Sequence, residues 1–414
     1  MPNLNQTLVD EIAESCIRSY RNLPKTGKTV NNEWTVLSCI VQYDMLTKSH
    51  EVVSLGTGSK CIGANKLSSQ GNILNDSHAE VIARRGFLIY LYENISNANE
   101  NKQSIFVLKD HYKYTLKDNI EFIFYSSQMP CGDASIIPKT EDSSDICELL
   151  SSNKREAQDD LCDVENKKKK VDIHRTGAKR LLHDEQDPKE SGENYHRVAQ
   201  VRTKPGRGDR TLSVSCSDKI ARWIHCGVQG SLLHLILLKF IFIKHFIFGS
   251  GVPYSEETLH RALLQRESEV KFEDRLKEIP YFYRTSLIFP HVRTDINQRP
   301  AASSVVWAKT ENRLFEVAVQ GKKLGVTKKK ANDLSSSLSI SKYKLYKKFL
   351  ELLNTNKELK ENICGTEPVE NIPYNEMKRK AIQYQEQWSE TKEVFFKSWT
   401  LKPDIWNFCI NKIS

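Results

Sequence analysis

The sequence has 414 residues, 39% of them hydrophobic and 27% charged, which is ample material for a large core. Its formal net charge of +9 favours a polyanionic partner, although many basic proteins bind no nucleic acid. Ten cysteines without paired spacing fit a reducing compartment better than a disulfide framework. Because Met1-Pro2-Asn3-Leu4-Asn5 is not a basic and then apolar leader, we expect a cytoplasmic or nuclear protein that is not secreted.

The first part of the chain predicts a helix followed by a hairpin of strands. Apolar residues recur at helical spacing over residues 8–23, and Pro24 ends the pattern. Residues 34–43 and 51–55 predict two paired strands. The stretch Gly56-Thr57-Gly58-Ser59-Lys60 that follows lacks the spacing of a nucleotide phosphate loop and, taken alone, indicates a turn.

The stretch Asn75-Asp76-Ser77-His78-Ala79-Glu80 places a His-x-Glu pair at the start of a helix predicted over residues 78–92. Cys131 follows a predicted strand at 122–126, at a turn into another predicted helix, and Cys216 lies farther along. One His and two Cys would leave a fourth tetrahedral position for water, which is the open arrangement of a catalytic zinc. Taken singly, such residues are more often a capping histidine and buried thiols.

A polar segment over residues 139–198 interrupts this pattern. It is rich in Asp, Glu, Lys, Ser and Asn and poor in large apolar groups, so we expect a disordered insertion within one domain. Its run Lys167-Lys168-Lys169-Lys170 could be a nuclear signal, but a solvated charge run is the commoner meaning. Glycine and proline at 205–208 then mark a basic loop before Cys216.

The rest of the chain predicts further core elements and a helical end. Residues 232–248 are strongly apolar but short and interrupted by lysine and histidine, so a buried helix followed by a core strand fits better than a membrane span. The other predicted elements are a helix at 256–267, strands at 285–290, 303–308 and 314–320, and helices at 343–353 and 375–399.

These residues indicate a definite chemistry. Zinc held by an imidazole and two thiolates lowers the pKa of a bound water, and a nearby carboxylate such as Glu80 can pass a proton to a leaving amine. His-x-Glu followed by Pro-Cys is the signature of zinc nucleobase deaminases. The usual third ligand position, three residues after the first Cys, is Ala134 here. The second thiolate must therefore come from elsewhere, and Cys216 is the best candidate.

Asn-Asp-x-His-Ala-Glu, Pro-Cys-Gly-Asp-Ala and Ser-Cys-Ser-Asp-Lys-Ile-Ala-Arg-Trp together resemble the deaminase domain of the adenosine deaminases acting on RNA, from about Asn31 onward apart from the insertion. The resemblance implies a single α/β domain over residues 1–414, with a cytidine-deaminase-like mixed sheet flanked by helices and a C-terminal helical extension. It also implies hydrolytic conversion of adenosine to inosine, with His78, Cys131 and Cys216 holding Zn²⁺ and Glu80 as the proton shuttle.

The same resemblance implies a buried inositol hexakisphosphate with a structural role. So many cations could not be buried together without a matching polyanion, and arginine and lysine suit phosphate oxygens. Trp388 stands where relatives can carry a basic residue. Asp76 and Lys204 would form a relay between this ligand and the metal. The residues that match the family's phosphate ligands are Asn75, Arg84, Arg85, Lys219, Arg222, Lys342, Tyr374, Lys378, Tyr384, Trp399 and Lys402.

The substrate implied by the resemblance is tRNA, most specifically the adenosine just 3′ of the anticodon in alanine tRNA, with Lys60 and Arg207 as RNA contacts. Arg207 replaces a glutamate that fills the space of a flipped base in duplex-editing members, which favours an adenosine that is already unstacked. About thirty residues precede the first core strand, so we expect no double-stranded-RNA-binding domain and no membrane attachment. The alternatives are an editor of double-stranded or messenger RNA and a catalytically silent RNA-binding zinc protein.

Overall fold

A computed structural model of the chain describes residues 3–110, 112–139, 172–206, 209–266, 279–330, 333–401, 403–404 and 407–410. Its helices are α1 (Gln6–Asn22), α2 (Ala79–Asn99), α3 (Cys216–Cys226), α4 (Gly230–His234), α5 (Glu256–His260), α6 (Lys342–Thr355), α7 (Lys357–Cys364), α8 (Tyr374–Arg379) and α9 (Ile382–Thr391). Its strands are β1 (Glu33–Trp34), β2 (Leu37–Asp44), β3 (Ser49–Thr57), β4 (Ser59–Cys61), β5 (Asp76–His78), β6 (Phe106–Lys109), β7 (Lys113–Leu116), β8 (Ile120–Ser126), β9 (Lys179–Arg180), β10 (Arg202–Thr203), β11 (His245–Phe248), β12 (Tyr281–Arg284), β13 (Arg299–Pro300), β14 (Ser303–Ala308), β15 (Leu314–Val319) and β16 (Lys322–Lys323).

The main sheet has eight strands in the order β12-β11-β8-β2-β3-β14-β15-β16. Strands β8, β11 and β12 run parallel to one another, and the remaining neighbours pair antiparallel. Strand β8 is buried along its whole length, as expected for a strand covered on both faces. The predicted α/β class with a mixed sheet flanked by helices is therefore confirmed.

Helices cover both faces of this sheet. Helix α1 buries Val9, Ile12 and Ile17 against a core that includes the inward residues of β2 and β3. Helix α2 packs on the opposite face within a larger core that contains Phe87 of the helix and Phe122 of β8. Its burial on nearly all sides explains why its sequence shows no clean polar stripe.

The C-terminal helices α6 to α9 extend the core on the α2 side. The Tyr374 ring stacks on Phe408 with 5.2 Å between ring centroids, and the Tyr346 hydroxyl donates to the Ile372 carbonyl at 2.7 Å. This confirms the predicted helical extension. Among the residues described, no helix is both long and apolar enough to cross a bilayer.

Several element predictions were wrong in extent. Residues 285–290 form no strand, and Asp10 of α1 accepts hydrogen bonds from Thr285 Oγ1 at 2.5 Å and from the Ser286 backbone N–H at 2.8 Å. The helix expected after Cys131 is a single 3₁₀ turn, Asp133–Ser135. The helix expected at 375–399 is divided into α8, α9 and a π-helical turn, Lys392–Phe396.

The structure describes part of the segment that was expected to be a disordered insertion. Residues 140–171, with the run of lysines, lie outside the described residues, but residues 172–198 have defined contacts. Arg202, fully buried, donates from Nη1 and Nη2 to the two oxygens of Asp187 at 2.7 Å each. The His196 ring contacts the same carboxylate at 3.0 Å. A buried polar cluster thus anchors a segment whose composition has few large apolar groups.

This cluster makes a stability prediction. Replacing Asp187 by Ala leaves the Arg202 guanidinium buried without its carboxylate, so the free energy of unfolding should fall by about 3–5 kcal/mol. Glu193→Ala, an exposed position on the same segment, is the control and should change little. Urea unfolding followed by tryptophan fluorescence measures both. Equal stability of the Asp187 variant and the parent would show that residues 172–198 do not pack as described.

Candidate active site

Three predicted metal ligands come together at the ends of separate elements. His78 ends β5 and is the N-cap residue of α2, and Cys216 is the first residue of α3. The Sγ atoms of Cys131 and Cys216 each lie 3.7 Å from His78 Nδ1, and the three ligand atoms lie within 4.8 Å of one another. The histidine and two thiols, drawn from three distant stretches of chain, form a candidate metal site that fits zinc.

Gly132 allows the two cysteines to approach. Its φ is +105°, a conformation that few side chains tolerate. A Cβ at this position would lie 2.3 Å from Ser215 Oγ, next to Cys216. The Ser217 hydroxyl donates to the Cys131 carbonyl at 2.9 Å. The turn after β8 and the start of α3 are therefore held directly against each other.

Glu80 lies beside this site and is only 3% exposed. Its Oε2 is buried and has no hydrogen-bond partner among the described residues. Burial raises the pKa of its carboxyl above the ordinary value, and the charge of Cys131 acts in the same direction. A buried carboxyl with an oxygen that has no hydrogen-bond partner and with a raised pKa is suited to taking up and releasing a proton.

Lys204 connects the metal site to the chain around Asp76. It is 2% exposed, and its Nζ donates to Asp76 Oδ2 at 2.8 Å and to Cys216 Sγ at 3.0 Å. Lys219 also donates to Asp76. Burial works to raise the pKa of Asp76, but Lys204 and Lys219 hold it well below its ordinary value. The structure therefore brings together the two residues predicted as a relay, Asp76 and Lys204.

Asp76 also lines a cavity of about 260 Å³. Of the eleven residues predicted as phosphate ligands, ten line it: Asn75, Arg84, Arg85, Lys219, Arg222, Lys342, Tyr374, Lys378, Tyr384 and Trp399. Lys402, the eleventh, lies outside the described residues. Tyr92, Gln229 and Ser231 also line the cavity and were not predicted. Tyr92 follows Arg85 by two helical turns, so the periodicity of α2 could have identified it.

The cavity concentrates positive charge. Six lysine and arginine side chains line it, against the single carboxylate of Asp76 among the described lining residues. Burial and the charges of Arg222 and Arg84 lower the pKa of Lys378 to about 8. Burial and neighbouring cations likewise lower the pKa of Arg84 to about 10. These shifts indicate a group of cations that lacks enough nearby negative charge.

Of the two predicted RNA contacts, Lys60 lies among the described residues and Arg207 does not. Lys60 is exposed on β4, which pairs with β5 so that Ser59 lies opposite His78 and Lys60 opposite Ser77. It therefore lies at the rim of the candidate site. Arg207 lies outside the described residues, so its prediction stays untested.

Comparison with known proteins agrees with the resemblance found in the motifs. The model of the adenosine-deaminase (editase) domain family matches residues 54–403. A Drosophila melanogaster protein named tRNA-specific adenosine deaminase 1 is 38% identical over 409 residues, which cover 95% of each chain. The human protein of that name is 31% identical over 495 residues, covering 95% of this chain and 98% of its own. The Double-stranded RNA-specific editase Adar of D. melanogaster is 30% identical over 273 residues, covering 64% of this chain and 36% of its own.

The ligand geometry predicts the metal content of variants. Cys61, Asp76 and His78 form a second cluster of possible metal-ligand atoms. The Asp76 carboxylate in it is already ion-paired with Lys204 and Lys219. Cys216→Ser should therefore lower zinc from about one ion per chain to a small fraction, since a three-ligand site loses a thiolate. Cys61→Ser and Glu80→Gln should keep the metal. Elemental analysis of the purified proteins decides, and loss of zinc from Cys61→Ser alone would place the metal in the second cluster.

Proposed function

Because the chain belongs to the adenosine-deaminase (editase) domain family, we propose that it hydrolyses adenosine to inosine in tRNA. The names of the relatives that match nearly the whole chain support tRNA as the substrate class. The single observation that carries the proposal is the buried Glu80 carboxyl next to a histidine and two cysteines. A site with a purely structural metal has no use for such a carboxyl.

The proposed roles follow from the positions of the side chains. His78, Cys131 and Cys216 would hold zinc, which when bound supplies an activated water. Glu80, with its raised pKa, gives a proton to N1 of the adenine ring, then takes one from the water oxygen that has added at C6 and passes it to the departing amine. The overall change is addition of water at C6 and loss of ammonia. Lys204, which donates to Asp76 and Cys216, places a positive charge beside the Cys216 thiolate.

The finer substrate is the adenosine just 3′ of the anticodon in alanine tRNA. A nucleotide in a loop is already partly unstacked, so presenting its base to a buried carboxyl costs less than flipping it out of a duplex. The exposed Lys60 at the rim and the basic loop after Lys204 suit contacts to loop phosphates. A double-stranded RNA substrate is the alternative that the experiment below separates.

The cationic cavity is proposed to bind inositol hexakisphosphate. Six lining cations and one carboxylate that is already paired leave a surplus of positive charge that a phosphate-rich ligand would balance. Trp388, which replaces a possible basic residue, lies under the Arg222 guanidinium at 3.7 Å from the ring centroid. Stacking of this kind holds Arg222 in place while adding no further charge. The ligand would be structural, and Lys219 and Asp76 would link it to Lys204.

The deamination proposal predicts inosine in one RNA and none in another. Purified protein should form inosine beside the anticodon of an alanine tRNA transcript and none in a long RNA duplex. Glu80→Gln should lower the rate by at least about 10²–10⁴-fold, because it removes the proton carrier. Its zinc content should be unchanged. Inosine on the duplex alone would replace the tRNA proposal by an RNA-duplex editor, and equal rates for parent and variant would contradict the role of Glu80.

The cavity proposal predicts a bound polyanion in protein purified from cells. Lys378→Glu puts a carboxylate among Arg222 and Arg84, so bound inositol hexakisphosphate should fall by at least about tenfold and the melting temperature with it. Lys357→Glu, on an exposed part of α7, is the matched charge control and should retain the ligand. Phosphate analysis of the denatured proteins gives the occupancy. Full occupancy in Lys378→Glu, or no organic phosphate in the parent, would contradict the proposal.

A further inference from the structure

Two loops begin at the candidate site and meet beside it. One follows β4 and contains Gly63 and Asn65. The other follows Lys204 and is described at residues 204–206 and 209–213. Asp209 Oδ2 accepts a hydrogen bond from the Asn65 backbone N–H at 2.8 Å. The Ala64 backbone N–H donates to the Arg210 carbonyl at 2.9 Å. These contacts join segments that are 144 residues apart in sequence.

The Asp209 side chain packs closely against Gly63 of the first loop. A Cβ on Gly63 would lie 2.4 Å from Asp209 Oδ2, although the Gly63 φ of −68° suits any residue. Glycine is therefore needed here for room and not for its backbone freedom. Next to Lys204 the second loop is closed by its own bonds, since the Lys204 amide donates to Ser213 and the Thr211 hydroxyl to the Lys204 carbonyl. Asp209 and Arg210 connect this closed loop to the first one.

The charge of Asp209 makes its role informative. The exposed residues Lys60 and Lys66 and the half-buried Arg210 give both loops a basic rim. A carboxylate in such a rim repels RNA phosphates and by itself weakens binding. Its position is explained instead by the hydrogen bond to the Asn65 amide, because a charged acceptor makes a stronger bond to a backbone amide than a neutral one.

We propose that Asp209 is a positioning residue for RNA binding, which latches the two basic loops into one surface at the mouth of the candidate site. The inference rests on the proposed action on tRNA. Without the Asp209 side chain, the Ala64–Arg210 backbone bond still joins the two loops, but they are held less firmly, and ordering them on RNA lowers affinity. The hydrogen bond of the Asp209 side chain goes to Asn65 and not to Glu80 or a candidate metal ligand, so its loss should change KM and Kd far more than kcat.

The test compares four variants with the parent in tRNA binding and deamination at one salt concentration. Asp209→Ala should raise Kd and KM by about tenfold, the size expected for losing a charge-assisted hydrogen bond, with kcat within about twofold. Asp209→Asn keeps an acceptor oxygen but loses its charge, so its Kd should lie between those of the parent and Asp209→Ala. Gly63→Ala keeps all charges but displaces Asp209, so it should behave like Asp209→Ala. Asp118→Ala, an exposed carboxylate on the β7–β8 turn, is the control for lost negative charge.

The direction in which Asp209→Ala changes tRNA affinity distinguishes the latch from a purely electrostatic effect. Removing a carboxylate should tighten RNA binding if only charge matters, so an Asp209→Ala protein that binds tRNA as well as the parent or better would overturn the latch. Hydrogen exchange of residues 62–67 adds a readout that needs no RNA: exchange should be faster in Asp209→Ala and Gly63→Ala, and unchanged exchange would overturn the latch. A parent protein that forms no inosine in any tRNA would instead overturn the proposed function.

Discussion

The arrangement of the site depends on one buried positive charge. The ammonium group of Lys204 is almost completely removed from solvent, and it is held by the carboxylate of Asp76 and the sulfur of Cys216. Burying an unpaired ammonium is very costly, so this lysine requires both partners to stay in place. Asp76 lies two residues before His78, and Cys216 begins α3. One side chain therefore fixes the strand and the helix that supply two of the three candidate metal ligands.

The same interaction connects the metal site to the cationic cavity. Asp76 also accepts from Lys219, which lines the cavity. Helix α2 carries His78 at its start and Arg84 and Arg85 in its second turn, and α3 carries Cys216 at its start and Lys219 and Arg222 in the turns that follow. Each helix thus presents a metal ligand at its N-terminus and cations one to two turns later. The cavity and the candidate metal site therefore share both helices.

Much of this site could be predicted from sequence because it consists of short motifs on regular elements. The spacing from His78 to Arg85 and from Cys216 to Arg222 is local, and helical geometry then decides which residues share a face. The contacts of Asp187 and Asp209 could not be predicted in this way. Each carboxylate makes hydrogen bonds to polar groups in segments whose sequences show no apolar periodicity. The Asp209 contact also joins residues that are 144 positions apart. Residues 285–290 show the converse error, since a strand-like sequence forms no strand there and bonds instead to the side chain of Asp10 in α1.

One charge network, centred on Lys204 and Asp76, connects the candidate metal site to the cationic cavity. The most direct test is diffraction from crystals of the protein as purified from cells, with anomalous data collected at the zinc edge. We expect one zinc peak bounded by His78, Cys131 and Cys216, and phosphate density in the cavity beside Lys219. A zinc peak bounded by Cys61 and Asp76, or a cavity that contains water alone, would contradict it.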